Sequence, residues 1–379
     1  MAGLDPSAMR KVNEATVLDV LYRGDAMTLA AVAATTGLSR RTVELILLDL
    51  EAQGWVRVRP AELVAHSRGR PARLFEFRPE AGAVLAVDIA HEHVTATVAD
   101  LHGVAISTEA VAVVGEPDRD ERLALVRSAV AGALAASPVD AASLSAVTIA
   151  TPGNVNDHGT VDVRLSMLGW TGFSLADEFG DEFGCRVVVE NDAKLAVRGE
   201  LWRGSTAGAD HIVWLMLAGP HHGLGIAVDG RPYRGVDGAA GETTWATMLG
   251  FDAVADRIDL DQADRVAFAE RARAGDVSTL ETLDALAASI AKGLSSLAWV
   301  LAPRHVVLGG STSVTLGALL LERVRAGFAA TGPGFADVRL SALGESAVTV
   351  GAIRRALDEV ESTLFASLRM STGERAHAD

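Results

Sequence analysis

The sequence predicts an α/β protein with a small N-terminal domain and a larger body of two similar lobes. Three observations indicate this organisation. Residues 28–50 contain two short helical patterns around a Gly turn, residues 83–153 combine strand and helix patterns, and a weaker copy of that second pattern recurs from residue 211. The length of 379 residues also exceeds what one hydrophobic core usually supports, so two or three domains are expected.

The composition excludes several classes of protein. No uninterrupted apolar run reaches the roughly 18 residues that a membrane-spanning helix needs. Residues 1–20 lack the basic start and apolar stretch of a secretory signal. The single cysteine, Cys185, excludes an internal disulfide and a zinc site built from several thiolates. We therefore expect a cytoplasmic protein with no membrane partner.

The N-terminal segment predicts three helices. Apolar spacing in residues 12–22 indicates the first helix. Thr28 is a suitable N-cap for a second helix that ends at Ala34, and Gly37 supplies a turn. Ser39 then caps a third helix, which ends at Gly54 and whose buried side would carry Val43, Ile46, Leu47 and Leu50.

A basic hairpin is expected after the third helix. Residues 55–58 and 73–77 alternate as two strands, and the loop between them contains Arg-Gly-Arg-Pro at 68–71. Residues 57–78 contain six arginines and two glutamates. The net charge is −15 overall, but residues 1–78 have 11 basic and 9 acidic residues, against 23 and 40 in the rest. The pattern predicts a winged helix-turn-helix domain over residues 1–78.

This domain predicts binding to a double-stranded DNA operator. In such domains base contacts come from the start of the recognition helix, and phosphate contacts come from arginines and helix N-termini. A slim Arg-Gly-Arg-Pro segment fits a narrow minor groove. The alternative is a small helical bundle with solvated arginines and a linker. The candidate DNA-binding residues are Ser39, Arg40, Arg41, Thr42, Glu44, Arg57, Arg59, Arg68 and Arg70.

The body predicts a duplicated α/β unit. A first lobe is expected over residues 79–191, completed by a C-terminal helix at 352–370, and a second lobe over residues 192–351. Small ligands commonly bind in a cleft between two such lobes. The first lobe would contain strands at 83–90, 93–103, 104–114 and 145–153 and a helix at 119–136, and the second would contain strands at 211–217, 225–230 and 305–310 and a helix near 277–300.

Three segments of the body, TPGNVNDHGTV, LGWTGFSLADEFGDEFGCRVVVENDAKLAVRGE and RGVDGAAGETTW, resemble the ROK family of sugar kinases and transcriptional repressors. The chain is most similar to the repressor branch, in which a winged helix precedes a kinase-like body. The resemblance covers about residues 13–360 and implies a two-lobed actin/hexokinase-like (ribonuclease H-like) body. Its most specific pieces are Gly-Arg-Pro at 69–71, Leu-Gly-Trp at 168–170, Glu-Asn-Asp at 190–192, Ala-Gly-Glu at 240–242 and Leu-Gly-Gly at 308–310.

The resemblance implies ligand-binding roles for four residues, namely Asn191, Asp192, Glu242 and Ser166. In the kinases, the aspartate at the position of Asp192 is the general base, and a carboxylate can accept a hydroxyl proton at hydrogen-bond distance. Ser166 replaces the family's asparagine. Gly-Gly at 309–310 matches a nucleotide-side loop. The residues alone also allow a simpler interpretation, in which Asp192 caps a helix that begins near Ala193.

The departures from the kinases are equally informative. The kinase phosphate loop Gly-Thr-Gly-x-Gly is replaced by Gly-Pro-His-His-Gly at 219–223, and Pro220 removes an N–H that would bind phosphate. Asp88 is followed by Ala-His-Glu at 90–92 where the kinases have glycines and a threonine. The zinc histidine is replaced by Trp245 or a neighbour. We therefore expect no ATP cofactor, no metal and no catalytic residue. We expect His91 and His93 at a strand end and His221 and His222 in a loop. These four histidines do not favour a replacement metal site, because they lack a suitably spaced carboxylate.

Three hypotheses follow. The first is a regulator, a repressor of carbohydrate-related genes, whose body binds a sugar or sugar-derivative effector and forms a homodimer or homotetramer. The second is a sugar kinase with an accessory DNA-binding domain. The third is a regulator whose degenerate body no longer binds sugar. Glu44 and Leu45 differ from the small polar and basic residues that are more usual in the family, so the operator sequence cannot be transferred from it.

Overall fold

The computed structural model describes residues 6–60, 73–162, 167, 169–243, 246–251 and 262–366. The chain forms two compact units. The first contains Met1–Ala83, Asp100–Val104 and Leu357–Asp379, and the second contains Val84–Ala99 and Ala105–Ala356. The first unit thus extends past the predicted boundary at residue 78 and includes part of the C-terminal helix that we expected in the first lobe. The bounds 1–78, 79–191 and 192–351 stay predictions.

The first unit contains, in its described part, three N-terminal helices and a three-stranded antiparallel sheet. The strands have the order β1-β3-β2, and the pairing of β1 with β3 was not predicted. The first helix begins six residues earlier than expected. The elements are α1 (Pro6–Arg23), β1 (Met27–Thr28), α2 (Leu29–Thr36), α3 (Arg40–Ala52), β2 (Val56–Pro60) and β3 (Arg73–Phe77).

Local capping explains where α2 and α3 begin. The hydroxyl of Thr28 accepts the N–H of Ala31 at 3.2 Å, and the hydroxyl of Ser39 accepts the N–H of Thr42 at 3.1 Å. Gly37 ends α2 with a φ of 71°, in the left-handed region that favours glycine. Both caps and this turn confirm the sequence prediction, although α2 continues past Ala34. The predicted inward residues of α3 are buried, namely Val43, Ile46, Leu47 and Leu50.

Tyr22 organises the aromatic core of the first unit. Its hydroxyl lies 3.1 Å from the carbonyl oxygen of Leu101 and 3.0 Å from Oε1 of Glu361, and it can donate a hydrogen bond to either oxygen. Its ring meets Phe77 edge-on at 5.1 Å and lies 5.6 Å from Phe365. These contacts join α1 to the two distant segments of the chain that belong to the same unit.

The second unit contains two α/β repeats in its described residues. Its strands are β4 (Ala83–Ile89), β5 (His93–Asp100), β6 (Ala105–Ala112), β7 (Leu144–Thr151), β8 (Asn154–Val155), β9 (Thr160–Asp162), β10 (Phe173–Ser174), β11 (Arg186–Asn191), β12 (Ile212–Ala218), β13 (His221–Val228), β14 (Arg231–Pro232), β15 (His305–Gly309) and β16 (Asp337–Leu340). Its α-helices are α4 (Arg119–Ala135), α5 (Leu175–Gly180), α6 (Asp192–Arg203), α7 (Gln262–Arg273), α8 (Val277–Leu301), α9 (Ser311–Leu316), α10 (Ala318–Thr331) and α11 (Ala347–Leu364). The last residues of α11, from Leu357, belong to the first unit.

The two large sheets of this unit have the same strand order. One has the order β11-β7-β4-β5-β6 and the other β16-β15-β12-β13-β14. If the strands of each repeat are numbered along the chain, both orders are 5-4-1-2-3. In each sheet strands 5 and 4 are parallel, as β11 is to β7 and β16 is to β15. The described strands therefore show the repeat that the sequence pattern predicts.

One described helix, α8, is long and apolar enough to cross a membrane by length and composition. Half of its most apolar window is buried in the protein. Leu283, Leu286 and Ile290 on this helix belong to the same core cluster as Leu215 of β12 and Val306 of β15. Packing against the second sheet therefore accounts for the apolar side of α8.

We expect Gly351→Ala to destabilise the second unit. A Cβ at Gly351 of α11 would overlap the carbonyl oxygen of Leu195 in α6, and backbone cannot move aside cheaply. The expected loss is about 1–3 kcal/mol of unfolding free energy. Thermal and urea unfolding measure it. Gly334→Ala is the control, because nothing lies within 4 Å of its added methyl group. Equal stability of the two variants would contradict this account.

Candidate functional site

The candidate site is built on the junction between β11 and α6. Strand β11 runs parallel to β7, with Asn191 opposite Thr151. Asn191 is the N-cap of α6, because its Oδ1 accepts the N–H of Lys194 at 3.1 Å. The sequence interpretation placed the cap at Asp192 and the first helical residue near Ala193. That placement was wrong by one residue, since Asp192 is already helical and Asn191 provides the cap.

The amide of Asn191 also fixes the neighbouring loop and carboxylate. Its Nδ2 donates to the carbonyl oxygen of Gly153 at 2.9 Å and to Oδ1 of Asp192 at 3.0 Å. The same Oδ1 accepts the N–H of Ala193 at 2.7 Å. Oδ2 of Asp192 takes part in none of these bonds. The junction thus holds one carboxylate oxygen in place and leaves the other positioned to accept a bond from a hydroxyl group.

Two carboxyl groups in this region are hard to ionise. Burial, and to a smaller extent the charge of Asp192, raise the pKa of Asp88 to about 7. The pKa of Asp192 is also raised to about 7, chiefly by burial. The charge of Glu242 contributes to this rise, whereas the N–H of Ala193 and the charge of Lys194 limit it. The structure therefore brings Glu242 close enough to act electrostatically on Asp192. Ser166 lies outside the described residues.

Lys194 is a buried cation that the sequence analysis missed. Its side chain lies in the first turn of α6, and the residue is 2% exposed. Burial lowers its pKa, while the carboxylates of Glu190, Glu242 and Asp192 oppose that shift. The cluster therefore contains both signs of charge in a region of low polarity. No periodicity distinguishes a buried lysine at this position from an exposed one, so the sequence offered no signal for it.

Arg234 positions the loop that carries Glu242. Its guanidinium bonds Oε2 of Glu190 at 2.7 Å and the carbonyl oxygen of Val155 at 3.0 Å, and it pairs with Asp157 at 3.1 Å. Oε1 of Glu190 meanwhile accepts the N–H of Asn191 at 2.9 Å. A charged pair with a nearly buried carboxylate thus joins the strand end to the 234–242 segment. The sequence analysis quoted Arg234 within a motif but assigned it no role.

The two segments that replace the kinase phosphate motifs contact each other. Strand β13 begins at His221, so His221 and His222 lie in a strand and not in the loop that we predicted. The ring of His91 stacks on the ring of His221, with centroids 3.5 Å apart and an interplanar angle of 10°. Burial lowers the pKa of His91 to about 3, with further contributions from His221 and Arg122, so this imidazole is neutral at pH 7. Two aromatic side chains therefore occupy the junction of these segments.

An ion pair joins the first of these segments to helix α7. Glu92 follows His91, and both of its carboxylate oxygens accept bonds from Nη2 of Arg265 in α7, at 2.9 and 2.7 Å. Arg265 is 2% exposed, so this pair is poorly solvated on one side. Breaking a pair of this kind leaves a buried charge without compensation, which is strongly destabilising. The pair therefore fixes the residue that follows His91 to α7.

The predicted nucleotide-side glycines have a structural explanation. A Cβ at Gly309 would overlap the indole ring of Trp214, and Gly310 has a φ of 84°. Both positions therefore favour glycine whether or not a nucleotide binds there. Over the residues that the structure describes, no group of three or more His, Cys, Asp or Glu side chains has an arrangement that could hold a metal ion.

In the N-terminal unit, three of the four candidate DNA-binding arginines that the structure describes are paired with glutamates. Nε of Arg57 lies 3.2 Å from Oε2 of Glu76, and Nε of Arg59 lies 3.1 Å from the same oxygen. Arg57 also pairs with Glu80 at 3.0 Å. Because both arginines project from β2 toward these carboxylates, a DNA phosphate would have to compete with Glu76. Arg68 and Arg70 lie outside the described residues.

The start of α3 presents the remaining candidates. Arg40 and Arg41 are exposed, and Arg41 pairs with Glu44 on the same helix at 3.1 Å. Ser39 and Thr42 are joined by their hydroxyl oxygens, 2.8 Å apart, within the helix cap. The structure therefore groups Ser39, Arg40, Arg41, Thr42 and Glu44 on one turn, and the role of this turn in DNA contact stays a prediction.

Comparison with known proteins agrees with this geometry. The model of the ROK family matches residues 84–249. The chain carries a ROK family domain. A glucokinase from Halalkalibacterium halodurans is 27% identical to the chain over 249 residues, which cover 55% of this chain and 74% of that enzyme. A xylose repressor from Caldicellulosiruptor bescii is 22% identical over 241 residues, covering 63% of this chain and 59% of the repressor. The chain thus aligns with about three fifths of that repressor's length.

A solved structure extends the match beyond the ROK domain. A ROK family transcriptional regulator, described as a homologue of the E. coli Mlc protein, superposes with a TM-score of 0.70 at 17% identity. The superposition covers 96% of this chain and 98% of the regulator. At this identity the likeness concerns the fold, and it includes the N-terminal unit as well as the ROK domain.

We expect Asp88→Asn to stabilise the ROK domain above pH 7. An aspartate has a pKa of about 3.9 when unfolded, whereas Asp88 has a pKa of about 7 in the fold. The folded state therefore holds this proton more tightly, and stability falls as the pH rises from about 4 to about 7. Asparagine resembles the protonated acid, so the variant should gain about 1–4 kcal/mol near pH 8 and nothing near pH 4.

Urea unfolding between pH 4 and pH 8 measures this difference. Asp181→Asn, at an exposed aspartate, is the control and should leave the pH profile unchanged. If the unfolding free energies of wild type and Asp88→Asn changed in parallel with pH, Asp88 would be ionised at neutral pH without a cost in stability.

Proposed function

We propose that the protein is a DNA-binding transcriptional regulator, a repressor of carbohydrate-related genes, with a ROK domain that binds a small effector. The observation that carries this proposal is the arrangement of the first unit. Two capped helices meet at the turn of Gly37, and the antiparallel pair β2–β3 follows the second of them. We interpret this arrangement as a winged helix-turn-helix, with α3 as its recognition helix and β2–β3 as its wing.

The ROK domain supports a sensing role. Asn191 holds Asp192 with one carboxylate oxygen available, and Arg234 holds the segment that carries Glu242 beside it. These carboxylates suit the hydroxyls of a sugar or sugar derivative, and a ligand hydroxyl that pairs with the buried carboxyl of Asp192 would offset the cost of its burial. The xylose repressor relatives favour a sugar-responsive regulator. Coupling between an effector and DNA binding is typically worth about 1–3 kcal/mol.

Oligomerisation completes the proposal. Regulators of this type bind two half-sites that mirror the two-fold symmetry of the protein. A homodimer or homotetramer in the cytoplasm would therefore bind a palindromic operator with two copies of α3. Analytical ultracentrifugation of the free chain and of its complex with DNA measures the number of chains in each.

The second candidate function is a sugar kinase. The glucokinase relative and the available oxygen of Asp192 favour it. The stacked His91 and His221 oppose it, because they join the two segments that would have to accept the phosphates. The pair of Glu92 with Arg265 adds a negatively charged carboxylate to the first of these segments. An ATP-consumption assay over a panel of sugars separates the two. Turnover that disappears in Asp192→Asn would establish the kinase.

Binding to the DNA upstream of the protein's own gene tests the regulator directly. We expect a gel shift that weakens steeply between about 50 and 200 mM salt, as phosphate contacts release counterions. Arg40→Ala should weaken binding, because Arg40 is exposed at the start of α3. The matched control is Arg271→Ala, which removes an equally exposed arginine from the second unit and should bind like wild type. No salt-sensitive binding to any genomic fragment would refute the proposal.

We expect Glu76→Gln to tighten DNA binding at low salt. Glu76 pairs with both Arg57 and Arg59, but Arg57 keeps a second partner in Glu80. An uncharged glutamine would therefore release Arg59 to a phosphate. Each added phosphate contact steepens the plot of log K against log salt by about 0.9, so the slope should increase by about 1. Glu281→Gln on α8, also a charge removal at an exposed position, should leave the slope unchanged. A slope equal to that of wild type would show that Arg59 does not contact a DNA phosphate.

A further inference from the structure

The outward side of α3 carries two leucines. Leu45 is 47% exposed and Leu48 is 50% exposed, whereas Val43, Ile46, Leu47 and Leu50 on the opposite side are buried. Residues three positions apart on a helix lie about 5–6 Å apart at Cβ, so the two leucines form one small apolar stripe. Both side chains are therefore accessible to a molecule that contacts this side of α3.

The groups around the stripe indicate a nucleic acid partner. Arg40 and Arg41 stand exposed at the N-terminal end of the same helix. Arg41, Glu44, Leu45 and Leu48 follow one another at spacings of three or four residues, so they share one face of the helix. Two leucine side chains are also far too small an area for a stable protein interface, which buries about 800 Å² on each partner. A positively charged helix start followed by a small apolar stripe suits a DNA groove better.

Arg41 is a poor reader of guanine in this arrangement. Its Nη1 is held by Oε2 of Glu44 at 3.1 Å, so the paired guanidinium cannot offer both of its donors freely to a base. In the major groove, thymine alone among the four DNA bases presents a C5-methyl group, and apolar side chains contact it. The leucines that follow Arg41 on this face therefore have a matching chemical partner.

We propose that Leu45 and Leu48 read thymine methyl groups in the operator and so determine its sequence. This inference rests on the proposed function, because it requires α3 to lie in the major groove. Transfer of one methyl group from water to an apolar contact is worth about 0.8 kcal/mol, which is about a fourfold change in affinity. The operator should therefore contain thymines at the positions that these two side chains reach.

Replacement of thymine by deoxyuridine tests the inference, because it removes only the methyl group. Operator sequences are first selected from a random DNA pool with the full-length chain. Each thymine of the selected site is then replaced singly, and the dissociation constant is measured at fixed salt. We expect the affinity to fall about fourfold when deoxyuridine replaces thymine at one or two positions in each half-site. Leu45→Ala or Leu48→Ala should bind more weakly and lose the sensitivity at one of these positions.

Met9→Ala provides the matched control. Met9 is 50% exposed on α1, and its replacement should keep every deoxyuridine effect. If no sequence is selected, the proposed function fails. If a sequence is selected but deoxyuridine has no effect, or its effects persist in both leucine variants, the function stands and the methyl contact is refuted. Loss of self-association in Leu45→Ala with unchanged DNA binding would assign the stripe to a protein interface instead.

Discussion

The amide of Asn191 is the constraint on which the candidate ligand site depends. One side chain ends β11, caps α6, holds the carbonyl of Gly153 and orients Asp192. An asparagine suits this position because it offers an acceptor and two donors in one plane. An aspartate could cap the helix equally well but could not donate to Gly153 or to Asp192. The geometry of the carboxylate is therefore a consequence of how the helix begins.

The electrostatics of the ROK domain follow from that geometry. Asp192 is held close to Asp88 and Glu242, and burial makes the ionised forms costly. Lys194 and Arg234 place positive charge in the same region, which limits the cost. A carboxyl with a pKa near 7 is a suitable general base, yet it equally suits a group that binds a hydroxyl without chemistry. What separates these roles is the phosphate side, where stacked imidazoles stand in place of glycines.

The parts of this structure that the sequence predicted are those set by short-range chemistry. Neighbouring residues, fewer than five positions apart, determine each of these features. They are the caps at Thr28 and Ser39, the turn at Gly37 and the spacing of the buried side chains on α3. The missed features depend on distant residues: β1 with β3, Glu190 with Arg234, and His91 with His221. Each joins segments separated by more than 40 residues, and no local pattern records such a partner. The one-residue error at Asn191 arose because aspartate and asparagine cap helices equally well.

Charge alone explains little of how the N-terminal unit would recognise DNA. Arg41, Arg57 and Arg59 are each paired with a glutamate of the same unit. The field of a paired charge is small, and salt screens what remains within about 10 Å. On a chain with a net charge of −15, long-range attraction to DNA is further opposed. Recognition must therefore rely on contacts at close range, which favours selective over non-specific binding. The exposed apolar side of α3 is consistent with this requirement, because contact with a base methyl group acts only at van der Waals distance and is insensitive to salt.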